Sequence, residues 1–310
     1  MKIVFLDAKT LGDDADLSLF KQFGNFEAFD TTAMSERIDH IGDAKIILTN
    51  KVLIDKDVMD ACPNLGLICV TATGMNNVDL AYAKEKGIGV KNVAGYSTAS
   101  VTQATFALAF YLLGQVAYYD QYVKSSQWAQ SPIFTHLGRP IREIRGKKWG
   151  IIGLGTIGKE VAKVASAFGA QIVYYSTSGA NNDADYVKIG LNEMMKTCDI
   201  ISIHAPLNDK TKGLIGASEL ALMKKGALLL NMGRGGIVDE VALANAIDTQ
   251  GIFAGIDVVA TEPMEENHPL LHVHYKDRLA MSPHTAWASV EARRELIDLV
   301  GENIKDYLGQ

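Results

Sequence analysis

Residues 147–169 read KKWGIIGLGTIGKEVAKVASAFG. Trp149–Ile152 is a short apolar run suited to a buried strand, Gly153–Gly158 (GLGTIG) is a glycine turn, and TIGKEVAKVASAFG has the periodicity of a helix ending at Gly169. A lone GxGxxG also marks ordinary turns, but strand, glycines and helix in this order are what a dinucleotide requires. Gly153 permits the tight turn, Gly155 lets the backbone approach a pyrophosphate, and Gly158 lets helix and strand pack closely. The helix N-terminus, from Thr156 and Ile157 onward, offers N–H donors to the anion.

The next strand closes with IVYYSTSG (172–179), and something is missing from it. A dinucleotide unit usually offers an acid to the adenosine ribose here, but Ser176, Thr177 and Ser178 occupy the place. A carboxylate would repel a 2′-phosphate and an arginine would attract one; this sequence does neither. Two readings stand: a plain polar loop, or hydroxyls of Ser176 and Thr177 that contact the ribose and leave NAD against NADP weakly decided. NAD is the expected cofactor, with NADP accepted.

Working outward, the series continues through AQIVYYS, CDIISIHAP, GALLLNMG, IFAGIDVV and RLAMSPH, giving six strand candidates. Before the glycine turn stand KIVFLD, AKIILT (44–49) and LGLICVTAT (65–73), with polar helical stretches between them. The expected fold is α/β with two doubly wound parallel-sheet domains: a Rossmann dinucleotide-binding domain over residues 99–285, and a flavodoxin-like substrate domain from residues 1–98 and 286–310. In SVEARRELIDLVGENIKDYL (289–308), Leu296, Val300 and Ile304 recur at helical spacing beside Ile297, as in a helix returning to the first domain. ATFALAFYLLGQVAYY (104–119) reads as a helix buried between domains or subunits; it contains Gln115 and is shorter than the ~20 residues of a membrane span.

Bulk properties agree with two domains, since 310 residues with 48% hydrophobic content exceed what one core usually holds. A net charge of -6 without a long basic run gives no footprint for nucleic acid or an anionic membrane. The three cysteines lack CxxC spacing and read as buried thiols in a reducing compartment. MKIVFLDAKT reaches Asp7 too soon for a signal peptide, so a cytoplasmic location is expected.

Three stretches at later strand ends carry polar groups where an open α/β sheet places its ligands: NMGRGGIVDE with Arg234, GIDVVATEP with Asp257 and Glu262, and MSPHTAWAS with His284. Singly, these suit a surface arginine, a turn acid and a loop histidine. Together with a dinucleotide they make a hydride-transfer site. HPLLHVHYKD clusters His268, His272 and His274, but no cysteine or carboxylate pair completes a ligand set, so no metal is expected.

With these motifs in order, the chain resembles the D-isomer specific 2-hydroxyacid dehydrogenase family: TATGMNNVDLAYAKEKGIGVKNVAGYS, GLGTIG, HAPLNDKTKGLI, NMGRGGIVDE, DVVATEP and SPHTAWAS run almost end to end. NVAGYSTASVTQATFAL and PHTAWAS look closest to its hydroxypyruvate reductase, or glycerate dehydrogenase, branch. The resemblance implies that Arg234 binds the substrate carboxylate, Glu262 pairs with His284, and His284 is the general acid. It implies backbone N–H groups of Ala72, Thr73 and Gly74 on the other side of that carboxylate, in a cleft between the domains. It also implies a cofactor lining that includes His204, Pro206, Met232, Asp257 and Ala286, and a homodimer formed through the arm that begins at Ser97.

The chemistry fits. Reducing a ketone leaves an oxyanion that must gain a proton, imidazolium is a suitable donor, and a guanidinium grips a carboxylate through two parallel hydrogen bonds. Departures from the family pattern are Asn76, Gly233 and Ser176; the last bears on cofactor choice. The expected reaction is reversible NAD(P)H-dependent reduction of hydroxypyruvate or glyoxylate to D-glycerate or glycolate. A D-lactate-type dehydrogenase is the enzymatic alternative, and a dinucleotide-sensing, corepressor-like binding protein the alternative from another class.

Overall fold

The computed structural model describes all residues 1–310, which form two compact units: residues 1–97 with 288–310, and residues 98–287. In the first, strands β1 (Lys2–Phe5), β2 (Asn25–Ala28), β3 (Ile46–Thr49), β4 (Leu67–Val70) and β5 (Gly89–Lys91) make a parallel sheet in the order β2-β1-β3-β4-β5. This is the flavodoxin-like order. In the second, β6 (Lys148–Ile152), β7 (Gln171–Tyr175), β8 (Val187–Lys188), β9 (Ile200–Ile203), β10 (Leu228–Asn231), β11 (Phe253–Ile256) and β12 (Leu279–Met281) run parallel in the order β12-β11-β10-β9-β6-β7-β8. Counted from β6, that is the Rossmann order with one strand added at the β12 edge.

Central strands are mostly apolar, as expected of parallel strands covered on both faces. Every residue of β3, β4, β9 and β10 is buried. The strands that the apolar runs do not announce, β2, β5 and β8, lie at sheet edges and have no fully buried residue. An edge strand needs only one paired neighbour, so its composition stays polar.

The segment 104–119 differs from the single buried helix expected of it. Helix Thr98–Leu113 stops at Gly114, Gln115 adopts a left-handed conformation (φ 50°), and a second helix, Val116–Lys124, departs at 60°. The first helix packs on the glycine-motif helix and on β10, β11 and β12; the second buries none of its residues. No single helix is long and apolar enough to cross a membrane. Helix Val290–Leu308 buries Leu296, Ile297, Val300 and Ile304 in the first unit.

All three cysteines are buried and free. Burial pushes the Cys69 thiol up to about 12 and that of Cys198 to about 11, so both are inert.

Candidate active site

The glycine turn is built for close approach. Gly153 has φ +90°, which only glycine adopts without strain, and a Cβ on Gly158 would collide with the Gly153 carbonyl. At Gly155 a Cβ would meet nothing, so the space in front of the turn is open, and helix Thr156–Ala167 begins there with Gly155 as its cap. An open glycine facing a helix N-terminus fits a dinucleotide pyrophosphate.

In front of the turn lies a cavity of about 550 Å³. Gly153, Gly155, Ser176, Thr177, His204 and Pro206 line it, which brings together six residues expected from the sequence to meet the cofactor. Leu154, Ser178, Asn181, Asn208, Asp209 and Lys210 complete the wall. The loop 207–210 was not anticipated, because PLNDK reads as an ordinary polar turn. Ser176 is 7% exposed, and its hydroxyl accepts the N–H of Asn181 at 3.3 Å, while the Asn181 amide donates to the Leu154 carbonyl at 2.5 Å. The polar loop after β7 is thereby tied to the glycine turn.

His204 follows β9, its N–H donating to the Ile152 carbonyl at 2.8 Å, and neither ring nitrogen has a hydrogen-bond partner. Burial lowers its pKa to about 3, so the ring is neutral and is no proton carrier near neutral pH. Met232 and Ala286 do not line this cavity. They form a separate apolar cluster with Val101, against which Ile157 and Trp287 pack.

The paired Glu262 and His284 lie beyond the ends of β11 and β12. His284 Nδ1 lies 2.7 Å from Glu262 Oε2, and the other Glu262 oxygen accepts the Val259 N–H at 3.1 Å. With Nδ1 bonded to the carboxylate, Nε2 is left to carry a proton to or from a ligand. His284 has a left-handed backbone (φ 55°), and its N–H points at the carbonyls of Asp257 (2.8 Å) and Ser282 (3.0 Å). A non-glycine residue held there costs about 1–3 kcal/mol, which surrounding bonds must offset.

Asp257 supplies them. Its buried carboxylate accepts the Ser282 hydroxyl at 2.6 Å, the Thr285 N–H at 2.9 Å and the Ala286 N–H at 3.1 Å, bracketing His284 from both sides. The family resemblance implies a place for Asp257 in the cofactor lining; in the structure its bonds go to the histidine's own loop.

Arg234 follows β10 and makes no ion pair; its Nη1 donates to the Gly233 carbonyl at 2.8 Å. Asn231 braces its turn, donating to the Arg234 carbonyl at 3.0 Å and accepting the Gly233 N–H at 3.1 Å. A Cβ on Gly235 would overlap the Val259 carbonyl, so the arginine turn packs directly on the backbone that leads to Glu262. Glu240 fastens the same backbone, accepting the Ala260 N–H at 2.7 Å while its second oxygen meets His268 Nε2 at 2.8 Å. That pairing occupies one of the three clustered histidines, and no group of three or more candidate ligands is arranged to hold a metal.

In the first unit, Ala72, Thr73 and Gly74 follow β4. Asn92 donates to the Thr73 carbonyl at 2.6 Å, and the Thr73 hydroxyl donates to the Val93 carbonyl at 3.0 Å, fixing the turn. The loop at Asn50 and Lys51 is held by Asp7, which accepts N–H bonds from both residues and from Val52. Burial raises the pKa of Asp7 against the lowering effect of those bonds.

Comparison with known proteins agrees with this chemistry. Residues 106–286 match the NAD binding domain of the D-isomer specific 2-hydroxyacid dehydrogenases. The chain is 36% identical to hydroxypyruvate reductase of Blautia hydrogenotrophica, over 99% of this chain and 97% of that one. It is also 36% identical to glycerate dehydrogenase of Methylorubrum extorquens, over 99% and 96% respectively. The crystal structure of the TT0316 protein from Thermus thermophilus superposes with a TM-score of 0.88 at 29% identity, covering 100% of this chain and 97% of that one. A Rossmann unit with an open glycine turn, and family likeness along the whole chain, lead to one conclusion: the chain belongs to the D-isomer specific 2-hydroxyacid dehydrogenase family and is an oxidoreductase that uses a nicotinamide dinucleotide.

Proposed function

We propose that the protein reduces small 2-oxo acids to D-2-hydroxy acids, with hydroxypyruvate and glyoxylate as substrates and D-glycerate and glycolate as products. The observation that carries this reading is the 2.7 Å bond between His284 and Glu262, on a loop packed against the turn of an arginine that has no carboxylate of its own. The names of the two 36% identical relatives support the substrate class.

The dinucleotide, when bound, supplies the hydride. Arg234 grips the substrate carboxylate through two parallel N–H bonds and so orients the carbonyl. His284 gives the Nε2 proton to the carbonyl oxygen as it becomes a hydroxyl, and Glu262 holds the ring through Nδ1 and offsets the positive charge of imidazolium. The unit of residues 98–287 is the dinucleotide-binding domain. His204, Met232 and Ala286 serve the cofactor and not the proton transfer.

The protein acts as a homodimer in the cytosol. Helix Val116–Lys124 buries nothing, and beyond it Phe134 and Leu137 are 88% and 80% exposed, an apolar arm that a second copy would cover. Sedimentation of the purified protein tests this, and a monomer at micromolar concentration would refute it.

The decisive assay is turnover of hydroxypyruvate, glyoxylate and pyruvate with NADH and NADPH. Rapid oxidation of reduced dinucleotide by the first two supports the proposal. Dinucleotide binding without turnover of any 2-oxo acid would overturn it in favour of a sensing role.

A further inference from the structure

The adenosine end of a dinucleotide needs something to read its 2′ position, and the tip of β7 offers only hydroxyls, of which Ser176 is turned inward to the Asn181 N–H. Another part of the lining of the same cavity differs. Asp209 and Lys210 are the two charged residues that line it, both are exposed, and neither side chain takes part in a hydrogen bond or ion pair. Two cations nearer in sequence to the β7 loop are engaged elsewhere: Lys159 pairs with Asp183 at 2.9 Å, and Lys188 donates to the Gly179 carbonyl at 3.0 Å and to Asn182 at 3.2 Å.

The backbone beneath Asp209 and Lys210 is fixed. Thr211 is fully buried, its hydroxyl donating to the Pro206 carbonyl at 2.6 Å and accepting the Asn208 N–H at 2.8 Å, and the Asn208 side chain accepts the Lys210 N–H at 2.9 Å. The loop thus holds its shape through inward bonds and leaves one ammonium and one carboxylate unspent on the cavity wall.

We infer that this chain reads the 2′ position of its dinucleotide from the loop after β9, where Lys210 takes the 2′-phosphate of NADPH and Asp209 accepts from the free 2′-OH of NADH. An ammonium beside a phosphate gains a charge-assisted bond, and a carboxylate accepts from a ribose hydroxyl while repelling a phosphate. With both present the preferences oppose each other, so NADH and NADPH bind with affinities within about tenfold of one another. Salt screens the phosphate contact more than the hydroxyl contact, so the balance moves toward NADH as ionic strength rises.

The inference rests on the proposed dinucleotide-dependent function, and its test is made by binding. Purified protein is titrated with NADH and with NADPH, following nicotinamide fluorescence, for the wild type and for Lys210→Ala, Asp209→Asn and Lys212→Ala. Lys212 is exposed but outside the cavity wall, and controls for net charge. The Kd for NADPH rises about tenfold in Lys210→Ala with the Kd for NADH within about twofold of the wild type. In Asp209→Asn the ratio shifts toward NADPH, and Lys212→Ala leaves it unchanged. Both dinucleotides binding to the wild type, with a ratio that Lys210→Ala does not move or that Lys212→Ala moves equally, overturns the inference and leaves the proposed function standing. Failure of the wild type to bind either dinucleotide overturns both.

Discussion

Glu262 Oε2 lies 2.7 Å from His284 Nδ1, and the second oxygen of the same carboxylate accepts the Val259 N–H at 3.1 Å. The group that steers the histidine is therefore anchored to the turn on which it sits, and the pairing through Nδ1 leaves Nε2 unbound by the carboxylate. On the proposed mechanism, removing the ring removes the proton donor but not the cavity in front of the glycine turn. His284→Ala is expected to lower kcat by about 10²- to 10⁴-fold while the Kd for NADH changes little. Stopped-flow turnover and fluorescence titration separate the two, and equal losses in both would assign the histidine to cofactor binding.

Arg234 has no acidic partner in the protein, which leaves its fork available to a substrate carboxylate. Arg234→Lys keeps the charge and loses the fork. The expected effect is a fall of about 10²-fold in kcat/KM for hydroxypyruvate with NADH affinity retained. Near-normal kinetics would make the arginine a surface residue that braces its turn.

Asp257 separates a positioning role from direct cofactor contact. Asp257→Ala leaves the Ser282 hydroxyl and the Thr285 and Ala286 N–H groups without their acceptor, at about 1–3 kcal/mol for the buried Ala286 N–H and less for the other two, which water can reach. Both a lowered unfolding midpoint and a loss of kcat follow, because the left-handed backbone at His284 loses its brace. In Asp257→Asn the amide oxygen in the place of Oδ1 can still accept all three bonds, and only the second contact of the Ala286 N–H, to Oδ2 at 3.1 Å, is lost. That variant should retain most of its stability and the larger part of its kcat. If Asn raises KM for NADH as strongly as Ala does, the carboxylate acts on the dinucleotide and not on the histidine loop.

The legible parts of the sequence were those where one residue type answers one physical demand. Fully buried strands such as IILT and LLLN are announced by their apolar runs, and Gly153 and Gly158 by a turn that tolerates no side chain. Edge strands β2, β5 and β8 carry no such mark, because pairing and not burial makes them strands. The break at Gln115 was hidden inside an apolar stretch; it depends on a left-handed residue whose side chain bonds back to the Leu112 carbonyl at 2.8 Å and receives Arg139 at 3.1 Å, a long-range partner that local pattern does not reveal. Glu240 and Lys210 were silent for the same reason. Each is an ordinary surface-type residue in sequence, and only the fold brings Glu240 under Ala260 and Lys210 to the cavity wall.

His204 gives a prediction in acid. Its folded pKa is lowered from 6.5 to about 3 by burial, so between those values the unfolded chain binds a proton that the folded protein refuses. The stability that the neutral ring permits is complete above the unfolded value of 6.5 and is lost as pH falls, at up to about 1.4 kcal/mol per pH unit until the folded value is reached. Carboxylates with lowered pKa, among them Asp183, Asp199 and Asp248, lose their contribution only as pH falls through the carboxylate range near 3.8 and below, which leaves the upper part of the window to histidine. Replacing His204 by Phe removes a titrating ring whose nitrogens have no partner and keeps most of its volume. Denaturant unfolding of the cofactor-free protein between about pH 7 and pH 5 should show wild-type stability falling more steeply than that of His204→Phe. Parallel curves would mean that the histidine takes up its proton in the folded state, by a shift of the loop at Pro206 that exposes the ring.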